Sequence, residues 1–169
     1  MAAKADFTAD EWKALLQSPL IAGIAVSAAD PSGLFGMLRE SMASARALLE
    51  ARTDPSADAL VQAVAADYET SEGRTLAQDG LKAALSGGKP ADIIAKALEA
   101  LRSVSALLDG KAPADSAAFR TWLAGVAKAV AEAASEGGFL GFGGVQVSDA
   151  EKATLAQIAT ALGVPAPAV

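Results

Sequence analysis

The stretch Ala133-Ala134-Ser135-Glu136-Gly137-Gly138-Phe139-Leu140-Gly141-Phe142-Gly143-Gly144 joins two segments of helical pattern, and its glycine density marks it as a joint rather than as part of either. An earlier stretch, Ala28-Ala29-Asp30-Pro31-Ser32-Gly33-Leu34-Phe35-Gly36, echoes it. With Gly33 laid on Gly138, the pairs Ala28/Ala133, Ala29/Ala134, Leu34/Phe139, Phe35/Leu140 and Gly36/Gly141 align, small on small and apolar on apolar. Two related joints imply two related halves, 8–52 and 115–163, within one helical domain spanning 1–169, with a flexible tail over 164–169.

The segments around the joints carry helical periodicity. Phe7-Thr8-Ala9-Asp10-Glu11-Trp12 is a helix start: Thr8 and Glu11 have capping-box spacing, and Phe7 and Trp12 stand where a hydrophobic staple stands. A first helix is expected over 8–17, a break at Ser18-Pro19, and a second helix over 20–29 with Gly23 at a close backbone approach. Leu34, Met37, Leu38, Met42, Ala45 and Leu49 predict a third helix ending near Arg52. Leu60, Val61, Val64 and Tyr68 mark a fourth, and residues 75–85 a short fifth interrupted by Gly80. Pro90 opens a sixth, closed by Asp109-Gly110. Asp115 or Ser116 caps a seventh along Phe119, Trp122, Leu123, Val126, Val130 and Ala133. Ser148 and Glu151 form a second capping box before Leu155, Ile158, Ala159 and Leu162, with Gly163 after them. The expected fold is an all-α bundle of about eight helices, alanine-rich and tightly packed.

Composition limits the function. With 169 residues the chain can bury a substantial core without staples. It has no Cys and no His, which removes disulfides, thiolates and imidazoles, and with them the usual zinc and haem ligands. No run reaches the roughly 18 uncharged apolar residues of a membrane span, and Met1 to Phe7 lacks the apolar region of a signal peptide, so a cytoplasmic protein is expected. A net charge of −6 repels phosphate backbones, and nucleic acid is excluded as a partner.

The segment from Val147-Ser148-Asp149-Ala150-Glu151 through Leu155, Ile158-Ala159 and Leu162-Gly163-Val164 resembles the last helix of the TerB-like (tellurite-resistance type) helical family. The resemblance covers about a third of the chain when Ala133 to Gly137 and Ala28 to Asp30 are added. It implies an all-helical fold with pseudo-twofold halves, and divalent-cation binding by acidic residues at the joints, here Asp30, Glu136 and Glu151. The chain departs from that pattern where Glu136 replaces Asp before Gly137, where 138–144 lengthens the turn, and where Pro31 follows Asp30.

No catalytic set is recognisable. The glycines of 137–144 lack the Gly-Lys-Ser/Thr ending of a P-loop and a preceding strand. A calcium reading of Asp30, Glu136, Asp149 and Glu151 lacks EF-hand spacing, and Glu151 also reads as a capping residue. The polar cluster Asp67 to Arg74 reads either as a proton-transfer set or as a solvated helix end. Trp12 and Trp122 read as core anchors. Gly33, Leu34, Phe35, Gly36, Gly138, Phe139, Leu140, Gly141 and Phe142 form a candidate protein-partner patch. The expected role is therefore a non-enzymatic interaction or accessory protein without cofactor, with a protein partner or a second copy bound at the joints or at a neighbouring alanine-rich face. The alternatives are a TerB-like cation-responsive module or a small-molecule-binding protein with a pocket between the joints.

Overall fold

The computed structural model describes residues 1–29, 34–86, 88–135 and 147–169, with the side chains of 34–42, 81, 84, 85, 134 and 135 left undescribed. Among the described residues seven α-helices follow a 3-10 turn at Lys4–Asp6: α1 (Ala9–Ser27), α2 (Leu34–Thr53), α3 (Ala59–Asp67), α4 (Ser71–Leu85), α5 (Pro90–Lys111), α6 (Pro113–Ser135) and α7 (Asp149–Leu162). No strand occurs among the described residues.

The expected eight helices become seven because α1 runs through Pro19. A proline in a helix interior removes the amide that would bond the carbonyl four residues back. That carbonyl belongs to Leu15, and the buried Ser18 hydroxyl donates to it at 2.7 Å. The orphan acceptor is satisfied one residue before the proline, so the chain has no reason to break there.

Helix α1 is also the central element, packing against α2, α4, α5 and α6. Its buried residues Trp12, Leu15, Leu16, Ile21, Ala22, Ala25 and Val26 cover more than half of its circumference, and the remaining strip through Lys13, Gln17, Leu20, Ile24 and Ser27 is half-buried. Its start is as expected: Thr8 Oγ1 accepts from Glu11 N, Glu11 Oε2 accepts from Thr8 N, and the Phe7 and Trp12 rings pack at 5.9 Å. Gly23 clears side chains rather than backbone, since a Cβ there would lie 3.0 Å from Ser44 Oγ and 3.3 Å from Val130 Cγ2.

Other boundaries shift for local reasons. Helix α4 begins at Ser71 because Thr70 accepts from Gly73 N, and Gly80 does not interrupt it. Helix α5 passes through Gly110 to Lys111, whose ammonium reaches Glu11 at 2.8 Å across the bundle. Helix α6 starts at Pro113, so Asp115 lies in its first turn. Helix α7 keeps its capping box and ends on left-handed Gly163, after which Val164 donates to Ala159 O and packs on the core, so the chain stays ordered one residue into the expected tail.

The polar cluster after α3 is a strap. Asp67 accepts from Trp12 Nε1 at 2.7 Å and from Lys4 Nζ at 2.8 Å, the Tyr68 hydroxyl donates to Leu16 O, and Arg74 donates to Tyr68 O and Glu69 O. Burial pushes the Tyr68 phenol far above its ordinary range, so it serves α1 as a donor. These contacts hold α3 against α1.

Candidate functional site

Gly23 approaches Ser44 of α2 and Val130 of α6 together, and Asp58, just after α2, lies beside Asp115 near the start of α6. The two helices therefore run antiparallel, with Ser44 near Val130 at one end and Asp58 near Asp115 at the other. Along them lies a groove of about 710 Å³, with Val61 and the α2–α3 loop closing one side.

The α6 wall carries Ala118, Trp122, Gly125 and Ala129, spaced four, three and four residues apart, and the α2 wall carries Ala47, Ala51 and Asp54, spaced four and three apart. This spacing keeps one face of each helix turned to the same side. Because most of these side chains are small, the groove floor is close to the backbones. A Cβ added at Gly125 would meet nothing within 4 Å. From Ala117 to Ala129 the α6 wall is about 18 Å long at 1.5 Å per residue.

Trp122 packs against the core as expected, but only in part. Its neighbour Phe119 is fully buried and meets the Trp122 ring edge-on at 5.2 Å, while Trp122 is half-buried and lines the groove. The Trp122 Nε1 is buried without a hydrogen-bond partner among the described residues. Trp12, by contrast, is a core residue bonded to Asp67.

One end of the groove is acidic. Asp54 Oδ1 accepts from Ser56 N at 2.8 Å and Ser56 Oγ at 2.6 Å, which holds its carboxyl below the usual range. Asp58 caps α3 by accepting from Leu60 N at 2.9 Å. Burial, with the Asp115 carboxyl beside it, pushes Asp58 upward. Asp115 is buried and accepts from Ala2 N at 2.8 Å. Glu50 pairs with Arg46 at 2.8 Å and is partly neutralised. Among the described residues, Ala47, Val126 and Ala129 give the other end an apolar wall.

Asp30, Gly33, Glu136, Gly138, Phe139, Leu140, Gly141 and Phe142 lie outside the described residues. Leu34, Phe35 and Gly36 open α2, with their side chains undescribed. Glu151 is described: it is buried, and its Oε2 accepts from Ser148 N at 2.8 Å and Ser148 Oγ at 2.7 Å, while its Oε1 has no hydrogen-bond partner among the described residues. Among the described residues no three or more acidic groups gather as a metal would need. No helix among the described residues is long and apolar enough to cross a membrane. An alanine-rich face was expected as an alternative partner surface, but the groove's residues were not named from the sequence, although the repeated small residues of Ala118, Gly125 and Ala129 around Trp122 were a signal for it.

Comparison with protein-family models, with curated proteins and with solved structures finds no match for this chain.

Proposed function

We propose that the protein is a non-enzymatic interaction protein of the cytoplasm that seats an amphipathic helix of a different protein in the α2–α6 groove. The observation carrying this reading is the small-residue seam on α6, Ala118, Gly125 and Ala129 around the half-buried Trp122, facing a matching seam on α2. A helix laid there finds shallow walls of the spacing helices interlock with, an aromatic platform, and a run of about three turns. A second copy of the chain is a poorer occupant, because two bodies of net charge −6 repel one another.

The experiment is a titration with a fluorescein-labelled, uncharged amphipathic 18-residue peptide with leucines spaced four and three apart, followed by anisotropy. Saturable binding is expected to the wild type and to be lost in Gly125→Trp, whose side chain would enter open space in the groove. Binding that survives this filling overturns the reading, as does the absence of saturable binding by peptides of any charge.

One observation favours a second reading. The buried Oε1 of Glu151, without a hydrogen-bond partner among the described residues, supports a TerB-like module in which that oxygen faces a divalent cation, with 8–52 and 115–163 as its related halves. Binding to the native state alone raises its melting midpoint. Millimolar calcium is then expected to raise the midpoint of the wild type and not of Glu151→Gln, and an unchanged wild-type midpoint rejects this reading.

A further inference from the structure

We infer that the helix accepted by the groove is basic at one end, so that Lys or Arg side chains meet Asp54 and Asp58 while apolar side chains occupy the Ala47 and Ala129 end. This rests on the groove being a helix-docking site, and it adds the chemistry of the partner and its direction along the groove.

The groove walls change character along their length. At one end are the apolar Ala47, Val126 and Ala129, and Glu50, the nearest charge of the described lining, is already paired with Arg46. At the other, Asp54, Ser56 and Asp58 crowd the turn into α3, and Asp115 stands behind Asp58. The carboxylates are positioned before any partner arrives. Asp54 is fixed through Oδ1 by Ser56, leaving Oδ2 without a hydrogen bond among the described residues. Asp58 is fixed by the α3 cap. Anchored acceptors lose less freedom when they take an ion pair than mobile side chains do.

Charge balance points the same way. Arg46 pairs with Glu50 and Arg52 with Glu69, and the Met1 ammonium stands 3.9 Å from Asp115, behind Asp58 and not on the groove wall. Asp58 and Asp115 repel one another, and a cation placed at the mouth relieves that repulsion. Trp122 adds an aromatic face in the same groove, which favours an alkyl-ammonium or guanidinium stem over an acidic one. An acidic helix would meet Asp54 and Asp58 with like charge. The overall −6 adds a long-range field that draws basic partners and repels acidic ones.

Three versions of the 18-residue peptide test this: uncharged, with two Lys and two Arg at one end, and with four Glu at the same end. The basic version is expected to bind at least about tenfold more tightly than the acidic one, as a few exposed attractive pairs exchanged for repulsive ones imply. That ratio is expected to shrink towards one in 1 M salt, where screening is short-ranged, and in Asp54→Asn/Asp58→Asn. Asparagine keeps both the turn acceptor at 54 and the helix cap at 58, so the double variant retains its fold, checked by an undiminished melting midpoint. A spin label or crosslinker at the basic end of the peptide is expected to report proximity to 54–58 and not to 129. Equal binding of all three peptides to the wild type overturns this inference and leaves the groove reading standing. Failure of all three, the uncharged one included, overturns both.

Discussion

A single hydroxyl decides how many helices the first thirty residues make. Ser18 Oγ donates to the Leu15 carbonyl that Pro19 leaves without an amide, and both are enclosed in the core. Removing the donor leaves a buried carbonyl unpaired, a loss of about 1–3 kcal/mol. Ser18→Ala is therefore expected to lower the unfolding free energy by that amount in urea titrations. Pro19→Ala restores the amide, so Ser18→Ala made in the Pro19→Ala background is expected to lose far less. A double-mutant cycle with no coupling between the two positions would show that the hydroxyl does not replace the amide. The same scale explains why the sequence misplaced the break: Ser-Pro reads as a stop, and the rescue depends on a rotamer choice that no spacing rule displays.

At the scale of elements, glycines show how much of the packing was hidden. Gly80 and Gly125 both lie inside helices and look alike in sequence, yet their surroundings are opposite. A Cβ on Gly80 would overlap the side chain of Gln17, which crosses from α1 to donate to Leu76 O at 2.9 Å, whereas one on Gly125 enters open groove. Gly125→Ala is expected to stabilise by about 0.5–1 kcal/mol, the helical gain of alanine over glycine. Gly80→Ala is expected to destabilise, because that gain is outweighed by displacing Gln17. In a Gln17→Ala background the same change is expected to become stabilising. Chemical denaturation of the four variants checks the signs.

Local signals were legible where the chain solves its problem within a few residues: the boxes at Thr8 and Ser148, the staple of Phe7 on Trp12, and Pro90 in the first turn of α5. The end of α5 was not, since Gly110 projects into open space and helical geometry there meets no obstacle. Enclosure of α1 had a sequence signal in the absence of any charge between Lys13 and Asp30. The groove had only half of one, because the acidic end of its wall comes from a loop that folds back onto α6.

Over the whole molecule, acidity works through opposed carboxylates. Glu11 is held low chiefly by the Lys111 hydrogen bond, Asp54 by Ser56 and Asp109 by Arg120, whose guanidinium stands at 2.6 Å. Burial works to raise Asp67, but the hydrogen bonds from Lys4 and Trp12 outweigh it and leave it low. A depressed folded pKa contributes stability that is present above the unfolded value, near 4, and is lost as pH falls through the folded value. These four carboxylates therefore make the melting midpoint fall as pH drops from about 5 to 2. Asp58 acts in reverse. Its folded pKa is raised by burial and by Asp115, so stability is lost as pH rises from the unfolded value through the folded one. Asp58→Asn retains the cap on Leu60 and removes that repulsion. Its midpoint is expected to exceed the wild type's at pH 7, with the difference vanishing below about pH 3.9, where Asp58 is protonated in both states. A difference of the same size at pH 3 and pH 7 would assign the effect to packing instead. The strain relieved by Asp58→Asn in the free protein is the strain a basic partner would relieve on docking. The same substitution is therefore expected to raise stability and weaken basic-peptide binding together, a reciprocity that packing alone would not produce.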